Sequence, residues 1–458
     1  MCGLIGLAGP AVPAYLPRVE EMLSRLHHRG PDGSGAAIGP DYILGHTRLA
    51  VQDLSQAAAQ PYRAGGVTLT YNGELWNAGT LDVGERETTG DTEVVAKMLD
   101  LHGIAALDAF DGMWAMAWEK DGEILLARDR WGKVPLYYGT NGQTLYWASE
   151  YHALPRDVCR YPVPPGGLLR FAEGSLSIEK WMGIEDVSLG IEATPEIVLA
   201  LLRQGVRERL VGDRSIAFML SGGLDSSLIL ALACEALGAG NITAYTAILD
   251  PDSRDLTAAR WVAGEYGVDL VEVPVPPPSP EAIRSAVEVV EIPMKAQVEI
   301  ALAHLPVMAQ IAADGHAVCL SGEAADELFG GYGGMQIKAS KADDEEYRAI
   351  KRSAVEKMSR GNFPRVNKVG MRYGVECRLP FMQRDLVTLA LDASKEASPP
   401  GKKLLKQAAS GIVPDRIIRR QKETFQGGVG TAAAAARFGG VSHYNAEARD
   451  RFGFIPKG

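Results

Sequence analysis

Two short stretches of the chain carry residue types that could do chemistry. The first is Met1-Cys2-Gly3, a thiol directly behind the initiator methionine. A free cysteine is mostly un-ionised at neutral pH, so a nucleophilic one needs a base or a cation beside it. If Met1 is removed, the freed α-amine of Cys2, with a pKa of roughly 8, becomes that base. The second stretch is FMLSGGLDSSLI, an apolar strand ending at Leu220, then Ser221, Gly222, Gly223, Leu224, Asp225, Ser226 and Ser227, then an apolar helix. Glycines let backbone N–H groups approach a polyphosphate, serines add hydroxyl donors, and the helix N-terminus adds partial positive charge. No GK[ST] follows, so this is not a Walker A loop, and Asp225 inside a phosphate cradle makes sense as the holder of a divalent cation.

The elements that must position these groups fall into two halves. At 458 residues the chain is too long for one ordinary core. The first half alternates short β-type runs (CGLIGLA, GVTLTYNGELW, GMWAMAWEKDGEILLARD, GKVPLYYGTNGQTLYWASE) with the amphipathic helices LPRVEEMLSRLHHRG and DTEVVAKMLDLHG. That pattern predicts an α+β unit with a largely antiparallel sheet, over residues 1–160. Proline and glycine cluster at YPVPPGG, and residues 161–194 read as a linker. From 195 to 458, strands alternate with helices of ten or so residues, which predicts an α/β, doubly wound parallel sheet with functional loops at strand C-termini. The charged stretch SKADDEEYRAIKRSAVEKMSRG reads as a solvated helix with Asp344 and Arg348 paired at i,i+4.

Composition narrows the partners. A net charge of -10 argues against nucleic acid or an anionic membrane and favours small molecules. The five cysteines are far apart, without CxxC spacing, so neither a disulfide framework nor a zinc site is indicated, and a reducing cytoplasm is the simplest home. The longest fully apolar run, LILALAC, is far short of a membrane span.

The motifs together resemble a family. SGGLDSS is similar to the signature of ATP-pyrophosphatases, and with the N-terminal Met-Cys-Gly the chain resembles the glutamine-hydrolysing asparagine synthetase family. HHRGPDGSG, GHTRLAVQDLS, YNGELWN, GDTEVV, RDRWGKVPLYYG, SGEAADELFGGY, GVECRLPF and RRQKETF occur in that family's order. The resemblance implies a class II amidotransferase domain of Ntn-hydrolase type followed by a PP-loop synthetase domain. It implies Cys2 as nucleophile on glutamine, Asn72 and Gly73 as the oxyanion-hole pair, Arg48 on the glutamine α-carboxylate, and Glu74 and Asp91 around the α-amine. Taken alone, Asn72-Gly73 reads as a hairpin turn and Arg48 as a surface ion pair. In the second domain it implies ATP at Leu220, Ser221, Gly222, Gly223, Asp225, Ser226, Ser321 and Gly322, and magnesium shared by Asp225 and Asp326. Glu323 would be the base on attacking ammonia, and Lys422 would stabilise charge on the acyl adenylate and pyrophosphate.

Three positions depart from the family's pattern: Ala324 and Ala325 stand where Gly-Ser is usual, and Gln383 where an aspartate is usual. An amide at 383 could not hold the α-ammonium of aspartate, so the acceptor could be another carboxylate. The leading expectation is an ATP- and glutamine-dependent amide-forming ligase with aspartate as acceptor. The alternatives are a relative amidating another carboxylate, a β-lactam-synthetase-like cyclase, a bare glutaminase and a non-catalytic nucleotide-binding protein. A homodimer fits the resemblance.

Overall fold

The computed structural model describes residues 1–420 apart from Ala11, residues 185–187 and Pro293, together with Ala435. Its first half holds twelve strands: β1 (Gly3–Ala8), β2 (Gly33–Ile38), β3 (Tyr42–Arg48), β4 (Tyr62–Ala64), β5 (Val67–Leu75), β6 (Gly112–Lys120), β7 (Glu123–Arg128), β8 (Tyr137–Thr140), β9 (Leu145–Ala148), β10 (Cys159–Pro162), β11 (Gly167–Ala172) and β12 (Ser175–Lys180). They form two antiparallel six-stranded sheets, ordered β10-β8-β9-β1-β3-β2 and β12-β11-β7-β6-β5-β4.

Period-2 alternation sorts each strand between two cores. On β5, Val67, Leu69 and Tyr71 pack outward with the helix Asp91–His102, while Thr68, Thr70, Asn72 and Glu74 take the opposite register. On β1, Ile5 and Leu7 pack outward with the helix Leu16–Arg25, and Leu4 and Ala8 join the core between the sheets. The result is helix, sheet, sheet, helix. The α+β expectation is met in four layers, and Asn72-Gly73 lies inside a nine-residue strand, not in a hairpin turn.

The expected linker needs correction. Residues 161–180 belong to the sheets: β11 pairs with β7 and with β12, so the first unit runs on past 160. The prolines and glycines of YPVPPGG shape the turn between β10 and β11 rather than a boundary.

The second half contains β13 (Ile216–Met219), β14 (Thr243–Ile248), β15 (Asp269–Pro274), β16 (Val318–Leu320) and β17 (Glu376–Arg378), all parallel in the order β15-β14-β13-β16-β17. The order reverses between β13 and β16, and the crevice at the C-terminal ends of those two strands is where a doubly wound sheet binds its ligand. The helix Leu224–Leu237 opens directly behind β13 and is buried along most of its length. The helix Lys295–Ala313 is by length and composition apolar enough to cross a membrane, yet it packs against the helices Pro280–Val290 and Asn362–Met371 and against β14.

The helix Asp344–Met358 is less solvated than its charge suggests. Tyr347, Lys351, Val355 and Met358 form a buried face, and an Asp343/Glu346 capping box opens it. Arg348 does not pair with Asp344; it meets Glu345 at 3.6 Å and donates to the Asp392 carbonyl, while Asp344 accepts from the Lys395 N–H. Tertiary partners have replaced the local pair.

A buried ionic seam joins the halves. Arg29 donates to Glu150 at 2.7 Å and to Asn367 at 2.9 Å. Glu291 holds Lys368 at 2.6 Å and His152 at 2.8 Å, and accepts from the Tyr151 N–H. Burial alone would lower the His152 pKa, but Glu291 and Glu150 raise it to about 9. Burial alone would raise that of Glu291, but Lys368 and His152 bring it down to about 2.

Candidate active site

The first cluster forms where β1, β3 and β5 meet. Cys2 is buried at the mouth of β1, and its backbone N–H donates to Asn72 Oδ1 at 2.7 Å. The Asn72 amide donates in turn to Ser149 Oγ at 3.4 Å. Burial pushes the Cys2 thiol up, and the positive terminal amine is the strongest force pulling it back. A side chain at Gly73 would strike the Met113 carbonyl at 2.2 Å, so only glycine lets β5 lie this close to β6.

Arg48, at the end of β3, is fixed by the carbonyls of Ser55 at 2.7 Å and of Asp53. Met1, Cys2, Arg48, Glu74 and Asp91 line one pocket. The Asp91 carboxylate accepts from Tyr71 Oη at 3.1 Å and from the Leu75 N–H at 2.8 Å, while burial pushes its pKa up to about 6. Glu74 is driven well above the usual carboxylate range by burial and by Glu376, and Arg378 opposes both. The expected glutamine-binding residues therefore share one small acidic pocket with the fixed Arg48 guanidinium.

Glu376 and Arg378 had no assigned role in the sequence reading, although GVECRLPF contains both. The Met1 ammonium pairs with Glu376, which also accepts from Arg378 Nε at 2.6 Å. Both come from β17 in the other half of the chain.

The second cluster sits at the sheet crevice. Ser221 and Ser226 hydroxyls lie 3.1 Å apart, and the Ser221 N–H donates to Ser226 Oγ at 3.2 Å, which curls the loop after β13. Gly222 has φ +69°, and a Cβ there would lie 2.5 Å from the Ala259 nitrogen. A bare, left-handed glycine keeps the cradle open for an anion. A Cβ on Gly322, in the loop after β16, would come within 3.0 Å of the Ser226 nitrogen, so the two loops touch. Asp225 and Asp326 both grip the ammonium of Lys402, at 2.6 Å and 2.8 Å. Asp225 Oδ1 is buried without a hydrogen bond among the described residues. Two carboxylates converging on one cation, one with an unused oxygen, are a donor set that would suit a divalent metal.

Glu323 pairs with Arg365 and accepts from Asn362 at 3.2 Å. Glu327 accepts from Tyr332 at 2.8 Å and from Asn362 at 3.0 Å, and burial with Glu323 nearby raises its pKa to about 7. Lys422 lies outside the described residues, but Arg420 of the same RRQKETF motif donates to the Gly222 carbonyl at 3.3 Å. Lys402, Arg365, Asn362 and Glu327 were missed from sequence because each acts through a partner far away in the chain.

The third departure resolves differently from expectation. Gln383 is fully buried, and its side-chain oxygen caps the helix Arg384–Asp392 by accepting from the Leu386 N–H at 2.7 Å. An aspartate there would cap as well. Position 383 is thus the cap that starts this helix, and its amide nitrogen is buried without a hydrogen bond among the described residues.

Comparison with known proteins agrees with this two-site layout. A glutamine amidotransferase domain family matches residues 1–176, and the asparagine synthase family matches residues 198–365 and 337–443. The chain belongs to the asparagine synthase family. It is 31% identical over 472 residues to asparagine synthetase [glutamine-hydrolyzing] 2 of Oryza sativa subsp. japonica, covering 94% of this chain and 78% of that one. It is also 31% identical over 467 residues to asparagine synthetase B [glutamine-hydrolyzing] of Escherichia coli (strain K12), covering 94% and 83%. A solved glutamine phosphoribosylpyrophosphate amidotransferase from B. subtilis overlaps loosely, with 19% identity, a TM-score of 0.35, and 59% of this chain and 65% of that chain covered, too little to weigh.

Proposed function

We propose that this family member transfers the amide nitrogen of glutamine to a carboxylate activated by ATP, releasing AMP and pyrophosphate, with aspartate as the acceptor. The observation that carries the reading is the convergence of Cys2, Arg48, Glu74 and Asp91 on one buried pocket, in a chain that also folds a phosphate cradle. Arg48 would take the glutamine α-carboxylate, and Glu74 with Asp91 the α-ammonium. The Cys2 thiolate would attack the side-chain carbonyl, with Asn72 and the Gly73 N–H receiving the oxyanion. Ammonia would leave, and water would hydrolyse the thioester. With Met1 removed, the Cys2 α-amine would serve as the proton acceptor.

In the second site Ser221, Gly222, Gly223, Ser226, Ser321 and Gly322 would cradle the triphosphate, and Asp225 and Asp326 would hold magnesium. The metal, when bound, would neutralise phosphate charge and so ease departure of pyrophosphate. Lys402 is close enough to join that task, and Lys422 would face the same charge. Glu323 would accept the proton from ammonia as it attacks the acyl adenylate. Its neighbour Glu327, raised to about 7, is a second group able to do so. Ammonia would pass internally, because ammonium formed in bulk water is not nucleophilic. With Gln383 a buried cap, the reason to look away from aspartate weakens, and a cytoplasmic setting suits these substrates.

The test is pyrophosphate release by the purified chain with ATP, magnesium and glutamine across a panel of carboxylates. Release with aspartate, with asparagine identified by mass spectrometry, is the expected result. Release only with another carboxylate would replace aspartate. Glutamine hydrolysis unaffected by every acceptor and by ATP would favour a bare glutaminase.

A further inference from the structure

Arg378 is fully buried at the end of β17, yet its guanidinium reaches the glutamine pocket of the other half of the chain. Nε donates to Glu376 at 2.6 Å, Nη1 donates to the carbonyls of Arg209 at 2.9 Å and of Val211, and Nη2 lies 3.4 Å from Glu74 Oε2. That last nitrogen is buried and makes no hydrogen bond among the described residues. Two nitrogens are thus spoken for by β17 and its neighbours, and the third lies beside Glu74.

Glu74 needs such a cation. It is 3% exposed, and its other partner is the neutral amide of Gln52. The titratable groups facing it are Glu376, Asp91, Arg378, the terminal amine, Cys2 and Tyr71. The two carboxylates repel its charge. The amine is engaged by Glu376 and leaves its present place if Met1 is removed. Arg378 alone is a permanent charge fixed in a planar fork.

Resting on the functional reading above, we propose that Arg378, supplied by the ATP-binding half, is the positioning residue that holds the Glu74 carboxyl group in place toward the ammonium of glutamine. The glutamine site is then incomplete without the synthetase sheet. The same strand end meets the nucleotide loop, since the Arg378 carbonyl accepts from the Ser321 N–H at 3.1 Å.

The experiment compares the full-length wild type with R378Q and R378K, using glutamine or ammonium chloride as nitrogen donor. Removing one partner of a buried ion pair strongly disfavours the remaining charge. R378Q is expected to raise the KM for glutamine by roughly tenfold or more. Ammonia-driven pyrophosphate release should stay within about threefold, because Arg378 acts on the glutamine side. R378K, which keeps charge without the fork, should recover part of the loss. An unchanged glutamine KM in R378Q overturns the proposal. So does an equal loss with both donors in both variants, which would make Arg378 merely structural. A wild type that neither hydrolyses glutamine nor releases pyrophosphate would instead overturn the functional reading, and the proposal with it.

Discussion

The ammonium of Lys402 lies 2.6 Å from the carboxylate of Asp225, a residue 177 positions earlier in the chain. Asp326 holds the same ammonium at 2.8 Å, and Lys402 is 5% exposed. The two aspartates expected to share magnesium are thus already bridged by a cation of the protein's own. Its backbone takes φ +60°, an uncommon left-handed setting for a lysine that fixes where the side chain starts.

Replacing that cation should favour a metal. Lys402→Met is expected to bind Mn2+ in the absence of nucleotide roughly tenfold more tightly than the wild type, since the internal competitor is gone and the local charge falls. Titration calorimetry with the metal alone reads this. Equal or weaker metal binding in the variant would remove Lys402 from the site's charge balance.

Ala324 has φ +83° at the start of the helix Ala325–Phe329. A Cβ in the left-handed region costs about 1 kcal/mol, and glycine does not incur that cost. Ala324→Gly should raise the midpoint of unfolding of the second unit by about 2 °C. A lower midpoint would mean that the buried methyl group contributes more than the strain costs.

Asp91 offers a pH test. Its pKa in the folded protein is about 6 against an ordinary 3.8, with burial as the main cause. A carboxyl raised on folding contributes stability that is fully present below its unfolded pKa and lost as pH rises through its folded pKa. At pH 7.5 the wild type therefore carries the whole destabilisation, about 3 kcal/mol, and at pH 5.5 only part of it. Asp91→Asn should melt higher relative to the wild type at pH 7.5 than at pH 5.5, while its glutamine KM rises sharply. In the wild type the glutamine KM should worsen as pH falls through 6. A melting difference independent of pH would contradict the assignment.

Gln383 gives a prediction about what does not change. Gln383→Ala removes a helix cap and should cost about 1 kcal/mol of stability, without altering which carboxylates support pyrophosphate release. A changed acceptor profile would return position 383 to the substrate site.

Glu323 and Glu327 separate by substitution. If Glu323 takes the proton from ammonia, Glu323→Gln should lower the rate of amide formation by about 100-fold or more while adenylate formation, followed by pyrophosphate exchange, persists. Glu327→Gln should have the smaller effect. The reverse order would transfer the role to Glu327.

Much of this was legible in the sequence because the informative residues are contiguous. SGGLDSS announces a cradle through its own glycines, and period-2 alternation in GVTLTYNGELW is enough to predict β5. Arg378, Glu376 and Lys402 were not legible as site residues, since their function depends on partners brought close by parallel strand order and by the docking of the two halves. GVECRLPF was recognisable as a motif, but nothing local says that its glutamate faces the amino terminus. The linker was misjudged for a related reason: β11 is defined by its pairing with β7, more than thirty residues upstream, and its flanking prolines masked it.

The buried seam of Arg29, Glu150, His152, Glu291 and Lys368 bears on how the molecule can move. Glu291 and Glu150 hold the His152 pKa up, and Lys368 and His152 hold that of Glu291 down, so each partner favours the charged form of the other. Burial also shelters the pairs from dissolved salt. The two halves are thereby tied by charge as well as by packing.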